Sequence, residues 1–301
     1  MSAEFQGAAG QAEAPLLVAP VRAARRRRRV PVSTAIAVLM LAITAVVIVV
    51  VPLLSFYDPY GQDLSKSLAS PFQDWSHPLG TDPLGRDTLS RLAVAGRTSL
   101  LICVPALLLN ILVGVTLGLV AGYFGRLPNT LIMGLADLQL SIPIIILLIM
   151  IVAVVGAGEK TLVLVLGLTY WVGYGRVSRV VALALKQREF VQAAKTFGGS
   201  SPWIIRKHLL PQLVPQLAIL ASFDLGVLII IEASLSYLGL GVQPPTPSWG
   251  GMISEGQTYT DRDVWLVIFP SIAIFLLVAG MQILSQRFTG ERGADITTRT
   301  V

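Results

Sequence analysis

Apolar residues along the chain fall into long uncharged runs separated by short polar connections. Residues 30–57 contain no charged side chain, and neither do residues 98–125. Residues 131–156 carry only Asp137, near their start. Residues 161–175 are shorter and extend past Arg176 and Arg179 to about Leu185. Residues 213–240 contain Asp224 and Glu232, and residues 264–286 are again uncharged. A helix needs about 20 mostly apolar residues to cross the hydrocarbon core. The pattern therefore predicts six membrane-spanning helices in an all-α membrane protein. Residues 33–54 form the spanning part of the first, and the charges make the fourth and fifth the least regular.

The polar stretches predict the connections. Residues 55–97 are rich in Pro, Gly, Asp and Ser, then turn amphipathic from Leu84, with Leu84, Leu89, Leu92 and Ala93 able to share one helical face. That part is expected at the interface or as an extension of the second span. Residues 241–263 contain Pro244, Pro245 and Pro247, which exclude a helix interior there.

Composition agrees with the pattern. In 301 residues, 54% are hydrophobic and 13% charged, against roughly 25% charged in soluble domains. Mean hydropathy is +0.72. So few polar residues cannot cover a soluble exterior of this size. Disorder and a disulfide scaffold are excluded too. The lone cysteine, Cys103, is expected as an inert buried thiol, and two distant histidines, His77 and His208, make a poor metal site.

The net charge of +6 reflects topology. With six spans both termini share a side. If that side is the cytoplasm, 17 of the 23 Lys and Arg residues lie inside. Residues 25–29, all arginine, abut the first span, where they hold the N-terminus inside and suit anionic lipid headgroups. No aromatic residues interleave with them, so a nucleic-acid arm is disfavoured. The expected organisation is a basic cytoplasmic tail (1–32), a first span with its external segment (33–97), the remaining five spans (98–286) with a loop at 186–212, and a cytoplasmic tail (287–301).

Several motifs carry candidate chemistry. Residues 80–87 superficially follow the phosphate-cradling G-x-x-x-x-G-K-[ST] pattern. Arg86 and Asp87 replace the Lys and hydroxyl that the mechanism needs, so a turn whose Asp87 or Thr81 caps a helix is the better reading. Gly114, Gly118 and Gly122 recur every four residues, a small-residue stripe for close helix packing, within the bundle or with a second membrane subunit. Asp137, Asp224 and Glu232 lie at membrane depth, where a carboxylate is costly and by default suggests function. A helix-end or paired carboxylate is the plainer reading for Asp137, and Glu232 is the better functional candidate. No catalytic constellation is found.

The inner loop is the richest segment. Good helix formers run from Glu189 to Phe197, with Phe190, Ala193, Ala194 and Phe197 on one face. Gly198 and Gly199 suit the helix end. Ser200 or Ser201 is expected to cap a second short helix with Pro202 as its first residue, and Pro211 to break the chain before the fifth span. The result is a two-helix elbow with an exposed apolar face, which suits either a bilayer surface or a cytoplasmic partner.

This loop resembles the EAA motif of ABC-importer permeases: E-A-A, three residues, Gly, nine residues, I-x-L-P. Ala193, Ala194, Gly198, Leu210 and Pro211 match the pattern, while Gln192 stands in place of its Glu and His208 in place of its Ile. Glu189 keeps a charge one turn earlier. Residues 77–91 and 232–250 resemble the segment before span two and the span-five region of the C-type permease of dipeptide and oligopeptide importers. The resemblance covers roughly residues 30–285. The C-terminal tail departs from the ending of that family. It implies a type I ABC-importer-like membrane domain. It further implies a permease subunit, not an enzyme, that moves di- or oligopeptides. The partners would be a homologous B-type permease, two cytoplasmic ATPases and an external substrate-binding protein. ATP and Mg²⁺ would reside in the ATPases, with no cofactor in this chain. Glu189, Gln192, Ala193, Ala194, Gly198, Ser200, Ser201, Pro202, His208 and Pro211 would dock an ATPase. Nickel and haem are alternative cargoes. The competing class is an autonomous proton-coupled transporter that uses Glu232 and Asp224.

Overall fold

The computed structural model describes residues 32–54 and 58–297, with side chains as far as Gln286. The arginine run and the rest of the N-terminal tail lie outside the described residues. The described part is helical almost throughout. The first helix, α1 (Val32–Val50), continues as a 3-10 turn to Leu53. An external-type loop follows, in which the Ser76 hydroxyl and amide both donate to Asp74 and hold its carboxyl down at about 2.

The next helix, α2 (Thr88–Phe124), is 37 residues long, or about 55 Å. It starts ten residues before the second apolar run because Asp87 caps it, accepting from the Ser90 amide at 2.7 Å. Buried Leu92 and Ala93 carry the amphipathic segment directly into the span. It ends at Gly125, whose φ of +65° turns the chain.

The third apolar run is not one helix. It forms α3 (Arg126–Leu140) and α4 (Ile144–Val155), bent by 91°. Pro143 stands at the break: it lacks an N–H and disfavours helical backbone at the residue before it. The fourth run is also divided, into α5 (Glu159–Thr169) and α6 (Trp171–Lys186). Here the Gln139 amide of α3 donates to the Thr169 carbonyl, so a side chain enters the helical hydrogen-bond ladder at the break. Among the described residues, four helices are long and apolar enough to cross a membrane, or five if α3 and α4 count as one span. The expected six unbroken spans are therefore corrected in the third and fourth.

After the loop come α7 (Glu189–Thr196), α8 (Ser201–Ile204), a π-helical turn (Ile205–Leu209) and α9 (Leu210–Tyr237). Then α10 (Trp249–Gln257), capped by the Ser248 hydroxyl, precedes α11 (Trp265–Thr297). The last helix thus runs through most of the segment expected to be a tail.

The glycine stripe fixes the main packing. A Cβ on Gly114 would lie 2.5 Å from the Trp171 carbonyl oxygen, one on Gly118 2.3 Å from that of Gly175, and one on Gly122 2.6 Å from that of Arg179. These glycines therefore let α2 and α6 meet backbone to backbone within the chain. Polar contacts hold α3 alongside α6: Arg179 donates to Asn129, Arg176 pairs with Asp137 at 2.6 Å, and Trp171 donates to Gln139 at 2.9 Å. Leu101, Leu112, Leu131, Val154 and Phe275 point outward and are largely exposed. That apolar exterior suits lipid, and the helices satisfy their own backbone groups as lipid requires.

Candidate functional site: the elbow before α9

The elbow forms as its residues dictate, with three differences from expectation. Glu189 opens α7, Gly198 closes it with φ of +83°, and a Cβ there would meet nothing within 4 Å. Ser200 occupies the cap position of α8 without a side-chain hydrogen bond, so neither Ser200 nor Ser201 caps as expected. Pro202 is the second helical residue, after Ser201. Pro211 does not break the chain. It falls in the first turn of α9, directly after the π turn, in which the Leu210 amide reaches back to the Ile205 carbonyl. Widening the turn relaxes the clash that proline makes with the preceding turn of a helix. Residues Ser201–Tyr237 consequently form one continuous 37-residue rod from elbow into span.

The exposed face is aromatic. Phe197 is 90% exposed, Trp203 44% and Phe190 42%, while Val191 and Ile204 are fully buried and root the elbow in the core. His208 bridges the halves, its ring 5.1 Å from Trp203 and 5.8 Å from Phe190, with a buried Nε2 that has no hydrogen-bond partner. Ala193 is exposed and Ala194 half-buried. Gln192 donates from its side-chain amide to the Lys186 carbonyl at 2.7 Å, covering an orphan carbonyl at the end of α6. An ionised glutamate has no proton to give there.

The membrane-depth carboxylates are dispersed. Asp137 pairs with Arg176 at a half-exposed surface, as its plainer reading requires. Asp224 lies beside Tyr174 of α6, whose buried hydroxyl makes no hydrogen bond of ordinary geometry. Glu232 is wholly buried and accepts from Ser99 at 2.8 Å and Ser236 at 2.7 Å. Ser236 in turn accepts from the Val242 amide at 3.3 Å. Glu232 therefore ties α2 to α9 and to the loop before α10. Cys103 is buried and free.

At the opposite end of α2, residues 80–87 build a brace and not a phosphate site. Asp82 accepts from Arg86 at 2.6 Å and from Arg91, and Arg91 also donates to Glu255 of α10 at 3.0 Å. His77 lies 3.2 Å from Asp87. Thr81 does not cap α2; its hydroxyl joins the Lys66 carbonyl to the Ala69 amide. A Cβ at Gly80 or Gly85, both at positive φ, would strike the Ala69 or Asp63 carbonyl. Sequence reasoning missed Glu255 and Trp249 as partners of this brace, because both lie more than 150 residues away.

Comparison with known proteins places the chain. Residues 114–289 match the model of the binding-protein-dependent transport system inner membrane component. The nickel transport system permease NikC of Escherichia coli K12 is 35% identical over 228 residues, 76% of this chain and 82% of its own length. The dipeptide transport system permease DppC of Bacillus subtilis is 35% identical, covering 77% of this chain and 72% of its own. The oligopeptide permease OppC of Haemophilus influenzae is 34% identical, covering 71% and 69%. A solved structure of the inward-facing MetNI methionine ABC transporter shares the fold, with TM-score 0.52 at 19% identity, covering 65% of this chain and 94% of that one. The chain belongs to the binding-protein-dependent transport system inner membrane components: it is a multi-pass inner-membrane ABC-importer permease of the C type, not itself an enzyme and without a cofactor of its own.

Proposed function

We propose that this permease moves di- or oligopeptides into the cell, driven by two separate ATPase subunits that dock on the elbow at residues 189–211. It pairs with a homologous B-type permease and receives cargo from an external binding protein. In this reading α1, α2, α3 with α4, α5 with α6, α9 and α11 make six crossings, with both termini cytoplasmic. The charge bias in the sequence supports the orientation: with the termini inside, 17 of the 23 Lys and Arg belong to segments assigned to the cytoplasm.

The observation that carries the proposal is the aromatic elbow continuous with α9. A surface bearing Phe197, Trp203 and Phe190 needs a partner, and an unbroken helix passes displacement to the span without absorbing it. To move a two-state gate from 1:99 to 99:1 takes about 5.5 kcal/mol of differential binding. ATP binding by the partners supplies that difference. Glu232, held by two hydroxyls and sealed from solvent, suits structure better than proton relay.

Peptide cargo is supported by the likeness to the dipeptide and oligopeptide permeases. Nickel is the second reading, favoured by the equal identity to the nickel permease. The test is purification from native membranes with mass spectrometry of bound subunits and cargo, followed by reconstitution. Uptake is expected only with the ATPases and ATP. Uptake by this chain alone under a pH gradient would overturn the proposal.

A further inference from the structure

The elbow is fastened to more than α9. At the far end of α2, Tyr123 is buried to 5% exposure, one residue before the helix closes. Lys186, the last residue of α6, donates from Nζ to the Tyr123 carbonyl at 2.6 Å, and its ammonium lies 5.7 Å from the ring centroid. Lys195, on α7, lies 5.2 Å from the same centroid. Both distances are within the range in which an aromatic face attracts a cation. The carbonyl contact also places a positive charge at a helix C-terminus, where the backbone dipoles favour it. Gln192 joins α7 to the Lys186 carbonyl. The short helix α7 is thus tied to the roots of three long helices: to α6 through Gln192, to α9 through the Phe190 and His208 rings, and to α2 through Lys195.

The third tie leads furthest. From Tyr123, α2 runs the whole length of the bundle to Arg91 and Leu92, which hold Glu255 and Trp249 of α10. A pull on Tyr123 therefore acts on a rod whose other end grips α10. We propose that Lys195 and Tyr123 are positioning residues that pass movement of α7 to α2, in parallel with the continuous path from α8 into α9. The proposal rests on the reading of the elbow as an ATPase dock.

The test uses the full complex with its partner permease and ATPases, reconstituted and trapped with ATP and vanadate. Spin labels at Leu112 of α2 and Phe275 of α11, both outward-facing, report on α2; labels at Ile230 of α9 and Phe275 report on α9. The expected result is that nucleotide changes both distances in the unsubstituted complex. Lys195→Gln abolishes the Leu112–Phe275 change and leaves the Ile230–Phe275 change, which reports that the ATPase is still engaged. Lys195→Arg, which retains the cation, restores the movement. Tyr123→Phe behaves as the parent and Tyr123→Leu as Lys195→Gln. Should Tyr123→Leu fail to assemble, the Lys195 pair decides alone. An unchanged Leu112 shift in Lys195→Gln overturns the proposal. So does loss of ATPase from that variant, which would make Lys195 part of the docking face. If nucleotide moves neither pair in the unsubstituted complex, the docking reading itself has failed.

Discussion

The indole Nε1 of Trp249 donates to the carbonyl of Leu92 at 3.1 Å, joining positions 157 residues apart. Room for the ring comes from Gly96, where a Cβ would lie 2.8 Å from Trp249 and 2.7 Å from Ile48. Removing the ring empties a fully buried site. Trp249→Ala is expected to cost about 3–5 kcal/mol, read as a lower midpoint in thermal melts followed by circular dichroism in detergent. Trp249→Phe should lose less. A parental midpoint for the alanine variant would mean that α10 is not anchored there.

The glycines of α2 separate by environment from a glycine of α3. Gly118→Ala sets a methyl 2.3 Å from the Gly175 carbonyl, and that backbone cannot rotate away. Overpacking of this kind costs about 1–3 kcal/mol. Gly134→Ala, in the middle of α3 with nothing within 4 Å, gains roughly 1 kcal/mol of helix propensity instead. The same melts should shift in opposite directions for the two variants.

Glu232 offers a clean separation of structure from proton transfer. Glutamine keeps a carbonyl acceptor for one serine, and its amide can donate to the other, since hydroxyls do both. Glu232→Gln is expected to leave transport unchanged. Glu232→Ala strands the Ser99 and Ser236 hydroxyls and costs about 1–3 kcal/mol. Transport lost in the glutamine variant at parental stability would reveal a proton role.

At Gly198 the φ of +83° is the constraint, since the space around it is open. Gly198→Asn, which tolerates left-handed backbone, should retain the ATPase in pull-downs. Gly198→Arg adds strain of about 1–2 kcal/mol and a charge on the docking face. It should insert in the membrane normally yet lose the ATPase. Retention of ATPase by the arginine variant would remove the elbow from the docking role.

Helices and elbow were legible because their signals are local. Long apolar runs mark α1, α2, α9 and α11, and the spacing from Gln192 through Gly198 to Pro211 marks the elbow. The break at Pro143 carried a signal in the proline itself, outweighed by the length of the apolar run. The break after Thr169 had none, because its cause is Gln139, a side chain 30 residues before Thr169. Pro211 misled for a related reason: a proline breaks an α-helix, but a π turn before it removes the clash, and no residue type announces a π turn. The glycine stripe predicted a close contact and left its partner open: α6 answers it with Gly175, Ser178 and Ala182 on one face, small residues of three different types that make no glycine repeat of their own. Ion pairs such as Arg91 with Glu255 depend on the tertiary fold alone.

The wide turn at Ile205–Leu209 has a geometric consequence. It holds one residue more than an α-helical turn requires, so everything before it is rotated by about 100° about the rod axis relative to a plain helix. Deleting one residue there would swing Trp203 and its neighbours toward a different quarter of the compass with every docking side chain still in the chain. The direction in which the elbow faces is set by a count of residues at its root as much as by their identity.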